Sequence, residues 1–157
     1  MRLPLLLATL SLIMPAAATA NVSLPLEAET HFNVGIRIGW NTESGDLLWG
    51  LEASYTYSGE LTHGPVLNLD VREGGLRFGL GYEVVLVPPT LGVEIGPTLA
   101  ITDGRLEAGW HATGFIGFLL FVHDQATWLP SGFANEVGLT LKAPIPVNEI
   151  DYSGSPD

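Results

Sequence analysis

Apolar and polar positions alternate with a period of two along most of the chain, and no stretch shows helical spacing. Phe32, Val34, Ile36, Ile38 and Trp40 share one face, opposite Asn33, Gly35, Arg37 and Gly39. The pattern recurs from Trp49 to Tyr57, from Leu67 to Val71, from Leu76 to Val84, from Leu91 to Ile101, from Leu106 to Leu120 and from Phe133 to Leu141. Runs of this kind between turn residues predict an all-β domain. A closed antiparallel sheet needs an even number of strands. Residues 22–29, where Val22, Leu24, Leu26 and Ala28 alternate, supply the missing one; dividing the 106–122 run near Gly114 is the alternative.

Turn chemistry sets the register. Ser44-Gly45, Glu73-Gly74 and Asp103-Gly104 close as two-residue hairpins, glycine supplying the positive φ that tight turns need. The first puts Trp40 opposite Trp49 and Arg37 opposite Glu52. The second puts Val71 opposite Leu76 and Asp70 opposite Arg77, and the third Ile101 opposite Leu106. Apolar meets apolar each time, which a one-residue slip would destroy. The longer connections 58–64, 86–90 and 122–132 then share the far end, and both chain ends lie on the tight-turn side.

Alternation does not say which face points inward. The apolar face is bulky, with Trp40 and Trp49 near one turn and Tyr55 and Tyr57 at the far end of their strand, where interfacial aromatic belts sit. The opposite face is rich in glycine, which suits a crowded narrow interior better than a solvated strand surface. It also carries Arg37, Arg72, Arg77 and Lys142 with Glu52, Asp70, Glu83, Glu94, Glu107 and Glu136, charges able to pair. The chain is therefore expected to form one antiparallel up-and-down transmembrane β-barrel of eight strands over residues 21–143, with lipid around its apolar face.

Composition narrows the function classes. Arg2, the apolar run to Met14 and Ala18-Thr19-Ala20 have the form of a secretory signal peptide, residues 1–20. With 17 acidic and 6 basic residues the chain is a poor match for nucleic acid. Without cysteine it has no disulfide or thiolate zinc site. Residues 144–157, with Pro144, Pro146 and Pro156 and with Gly154 between Ser153 and Ser155, read as a flexible tail.

In architecture, without any shared motif, residues 21–143 resemble the small outer-membrane β-barrels of Gram-negative bacteria. The resemblance implies a place in the cell outer membrane, with lipid and the barrel-assembly machinery as partners and the three glycine turns on the periplasmic side. Two features depart from it. The last strand lacks a terminal aromatic, and Pro97 interrupts a strand, implying a bulge or a membrane-rim position.

The expected lumen charge network comprises Arg37, Glu52, Asp70, Arg77, Glu94 and Glu107. Phe115, Leu119 and Phe121 point inward by parity and are the candidate apolar pocket for a lipid or acyl chain. No catalytic residue, cofactor or metal is assigned. His111 and Glu107 share a strand face but lie about 13 Å apart along it, too far for a dyad. Ser54, a strand serine on the polar face, has no local motif tying it to a histidine. His123-Asp124 falls in an expected loop. The reading is a non-enzymatic barrel with a structural, adhesive or apolar-ligand role. A soluble lipocalin-like barrel and a lipid-modifying membrane enzyme are the alternatives.

Overall fold

The computed structural model describes residues 30–59, 61–87 and 91–147. They form β1 (Thr30–Asn41), β2 (Leu47–Ser58), β3 (Thr62–Arg72), β4 (Gly75–Val87), β5 (Leu91–Thr102), β6 (Arg105–Gly117), β7 (Leu120–Leu129) and β8 (Gly132–Val147). Each strand pairs antiparallel with its sequence neighbours, and β8 returns to β1, so the sheet closes. Around the wall the register advances by about ten residues, which for eight strands about 4.8 Å apart gives a tilt of about 40°.

The eighth strand does not come from residues 22–29, which lie outside the described residues. It comes from the 106–122 run, which breaks at Phe118 and Leu119 rather than at Gly114. The expected 122–132 loop is mostly β7, so His123 and Asp124 are strand residues. This strand also changes the polarity of the molecule. The β1–β2, β3–β4, β5–β6 and β7–β8 hairpins occupy one end. The other three connections lie at the opposite end, where β1 begins and β8 finishes. Connections at both ends are short, so the expected division into short turns and long loops is absent.

Two of the three predicted registers hold. Asp70 pairs with Arg77, Val71 with Leu76 and Ile101 with Leu106. Asp103 (φ 50°) and Gly104 (φ 76°) both have positive φ, as a type I′ turn requires. The first hairpin differs: Trp40 faces Leu47, Ile38 faces Trp49 and Arg37 faces Gly50. The cause is local. Asn41 Oδ1 accepts the backbone N–H groups of Glu43 (2.8 Å) and Ser44 (2.9 Å), winding a longer loop before Gly45 turns back. A shift of two residues moves no side chain to the other face.

β8 runs to Val147, four residues into the segment expected as tail. Lys142 N–H donates to Leu119 O at 2.8 Å, and beyond that point β7 has ended. Alternate residues of a strand turn their N–H groups to the same side. The next two positions facing the open side are Pro144 and Pro146, which have no N–H to leave unpaired. Pro97 faces outward beside Trp110. The β4–β5 ladder lacks pairs between Gly79–Thr98 and Tyr82–Ile95 but keeps its register there, and the β4–β5 register shift lies instead between Val85 and Val87.

Polarity is inverted relative to a water-soluble barrel. Leu51, Leu69, Phe78, Leu80, Ile95 and Leu99 are all exposed on the outer wall, with Ile36, Ile38, Leu139 and Leu141. The register brings Trp40, Trp49, Trp110 and Trp128 to one ring near the four hairpins, while Tyr55, Tyr57 and Tyr82 lie toward the other end. Eight residues separate Trp49 from Tyr57 along β2, about 26 Å of strand and about 20 Å of axial height at this tilt. That matches the apolar band of a bilayer-spanning barrel, whose strands leave no backbone polar group unpaired in lipid.

Candidate functional site

The inward positions gather the chain's polar chemistry. Only Leu48, Val66, Ala100, Phe115 and Phe121 are buried apolar side chains among the described residues, against a much larger buried polar set. Glycines make the room. A Cβ on Gly81 would meet the Glu94 carboxylate, on Gly79 the His111 ring, on Gly39 Leu48, on Gly92 the Phe115 ring, and on Gly138 the His123 ring. These five inward side chains thus each lie over a position with none, which helps eight strands accommodate them.

Three cations organise the interior in layers. Nearest the hairpins, Arg77 Nη2 donates to Asp70 Oδ2 (2.7 Å) and Glu136 Oε2 (2.5 Å), and Nη1 to Thr127 Oγ1 (3.2 Å). At mid-height, Arg37 Nη2 donates to Gln125 Oε1 (2.6 Å). Its remaining nitrogens stand 3.9 Å from Glu52 and 3.6 Å from Asp70. Toward the chain-end mouth, Lys142 Nζ meets Glu52 Oε1 (2.5 Å) and Glu83 Oε2 (2.8 Å) and sits 5.1 and 5.4 Å from the ring centres of Phe115 and Phe121. On the facing wall, Glu94 Oε1 accepts from Asn68 Nδ2 (2.6 Å) and lies 2.7 Å from His111 Nε2. Buried charges are tolerated when paired and hydrogen-bonded in this way.

Arg37, Glu52, Asp70, Arg77 and Glu94 are therefore brought together inside, and Arg37 still meets Glu52 diagonally after the register correction. Glu107 is not with them. It lies at the hairpin rim and accepts from Ser131 Oγ at 2.5 Å, because β6 begins only two residues earlier. The proposed apolar pocket does not form. Phe115 and Phe121 point inward but pack edge to face at 5.7 Å and close the mouth around Lys142, while Leu119 stands exposed in the β6–β7 turn. Beneath them remains a cavity of about 10 Å³, measured as space open to the centre of a water molecule, far too small for an acyl chain.

Sequence reasoning missed Gln125, Thr127 and the His111–Glu94 pair. The first two lay in the supposed loop. The pair joins adjacent strands, where no spacing within one strand reveals it. Ser54 Oγ accepts a hydrogen bond from Asn33 Nδ2 at 3.2 Å. Among the described residues no group of three or more His, Cys, Asp or Glu side chains is placed to hold a metal ion.

The outer belt has one anomaly. Asp124 projects from the middle of β7, opposite Gly114 and Val137. It is exposed, in a region where its outward neighbours are apolar or small.

No protein-family model and no curated protein matches the chain. Among solved structures it is similar to one from the de novo design of transmembrane β-barrels, at 16% identity and a TM-score of 0.47, covering 72% of this chain and 95% of that one. It is also similar to the de novo designed TMB2.3 solved by solution NMR, at 18% identity and 0.49, covering 74% and 96%. The chain's own geometry, an apolar outer wall around a charge-paired interior, is that of a transmembrane β-barrel.

Proposed function

We propose that this protein is a sealed, non-enzymatic barrel of a Gram-negative outer membrane, with a structural role rather than a transport, adhesive or ligand-binding one. The observation that carries the reading is the filled interior, where Arg77, Arg37 and Lys142 with their acids, and then the Phe115–Phe121 pair, occupy successive levels. Eight strands leave little beyond side-chain room, and here that room is used. Connections of a few residues offer no projecting loops for adhesion. The soluble lipocalin-like alternative needs bulky apolar residues inside, whereas they face outward.

The signal-peptide form of residues 1–20 supports export, and lipid and the assembly machinery are the partners this reading requires. The chain ends belong on the periplasmic side and the four hairpins outside, the reverse of the orientation expected from turn lengths. Entry from the periplasm in this orientation carries only closed hairpins across the bilayer, whereas the opposite orientation carries the start of β1 and the end of β8 through it. Fractionation of expressing cells, followed by planar-bilayer recording of the purified protein, tests the proposal. Outer-membrane recovery without stepwise conductance is the expected result. Periplasmic recovery, or regular ion channels, would overturn it.

A further inference from the structure

We infer that the cavity beneath the Phe115–Lys142–Phe121 cap is a binding site for one resident water molecule, which completes the hydrogen bonding of Arg37. The first observation is the spacing of Arg37 from its acids. Nη1 is 3.9 Å from Glu52 and Nε is 3.6 Å from Asp70, both beyond direct hydrogen-bond reach, while Nη2 is held by Gln125 at 2.6 Å. Arg37 and Glu52 both line the cavity, and a polar contact beyond about 3.5 Å is one that a water beside it can complete.

The second observation is independent of the first. Arg37 Nη1, Thr113 Oγ1 and His123 Nε2 are buried atoms without a protein hydrogen-bond partner, and all three residues line the same cavity. They come from β1, β6 and β7, so no local chain feature accounts for their meeting. Buried polar groups of this kind are normally satisfied, and a water needs two to four of them. Arg37 Nη1 donates to the water. The water donates in turn to Thr113 Oγ1 or to His123 Nε2, whose Nδ1 already faces Thr140 Oγ1 at 2.9 Å.

Size and charge select water over other occupants. About 10 Å³ of space for the centre of a water molecule admits one such molecule. The lining carries two cations, Arg37 and Lys142, and two carboxylates, Glu52 and Glu94. That balance favours a neutral polar molecule over an ion. The bound water joins the Arg37 layer to the facing wall, where Thr113 pairs with Glu94 across β5 and β6.

A crystal structure of the intact chain, from crystals soaked in bromide, tests the site. The expected result is one peak without anomalous signal, within about 3.2 Å of both Arg37 Nη1 and Thr113 Oγ1. Direct closure of Arg37 onto Glu52 with no peak between them would overturn the inference, as would an anomalous bromide peak in the cavity. In the Thr113→Val variant the peak should be weakened or lost with the strand register unchanged. A peak of full strength there would remove Thr113 from the site and overturn the assignment. Should the variant fail to fold, water-to-amide cross-relaxation at Thr113 and His123 in the micelle-folded wild type decides: long-lived contacts support the site, and their absence overturns it.

Discussion

The carboxylate of Glu94 lies directly over Gly81, so that a Cβ at position 81 would sit 2.6 Å from Glu94 Oε1. The same oxygen accepts from Asn68 and meets His111. Gly81→Val should therefore push Glu94 away from both partners. Overpacking of this kind costs about 1–3 kcal/mol. Urea unfolding in lipid vesicles would show the loss. An unchanged midpoint would mean that Glu94 has other room to occupy.

Arg77 holds two acids at once. Replacing it with Met leaves Glu136 buried without its cation and Asp70 with Arg37 alone at 3.6 Å, a change that costs about 3–5 kcal/mol. Adding Asp70→Leu and Glu136→Leu removes the stranded charges and should recover much of the loss. Comparing the single and triple variants by vesicle unfolding separates the pairing of the charges from their mere presence. Equal stability of the two would show that the acids are not desolvated.

Leu80 stands in the outer belt, exposed on β4 between Phe78 and Tyr82. Leu80→Arg should cost about 2–4 kcal/mol of membrane-folded stability, the usual cost near the bilayer midplane. Gel mobility with and without heating, together with vesicle titration, gives the value. A cost near zero would place the belt in water.

How far the residues alone reveal this fold can be traced through particular elements. Face assignment was legible because its period is two, and a register error of two, as between Arg37 and Glu52, leaves every face unchanged. The error itself came from Asn41, whose side chain builds a longer loop where Ser44-Gly45 resembles a tight turn. The β6–β7 break was hidden because Phe118 and Leu119 are apolar and carry no turn signal, so alternation reads straight through them. Missing β7 moved the chain ends to the wrong side and left Gln125 and Thr127 out of the interior. Arg77 with Asp70 was legible because a true two-residue turn joins their strands. His111 with Glu94 was not, since the pair meets diagonally across a hairpin, where Glu94 is the register partner of Thr113.

Asp124 offers the sharpest test of where the lipid lies. It is exposed on the outer wall in the middle of β7, with Val122 and Ala126 as its outward neighbours along the strand. The facing position on β6 is Gly114, where a Cβ would meet nothing within 4 Å, so no side chain stands beside the carboxylate from that position. In hydrocarbon an ionised carboxylate is unfavourable, although less so than Arg or Lys at the same depth. Asp124→Leu should therefore stabilise the barrel in vesicles by about 1–2 kcal/mol, while the same change at a rim acid such as Glu107 should have little effect. The gain should be larger in vesicles of thicker hydrocarbon, which immerse the position more fully. A loss of stability on Asp124→Leu would mean that the carboxylate meets a polar partner at the barrel wall. No change in either vesicle would place the middle of β7 outside the hydrocarbon, contrary to the Trp and Tyr rings that bracket it.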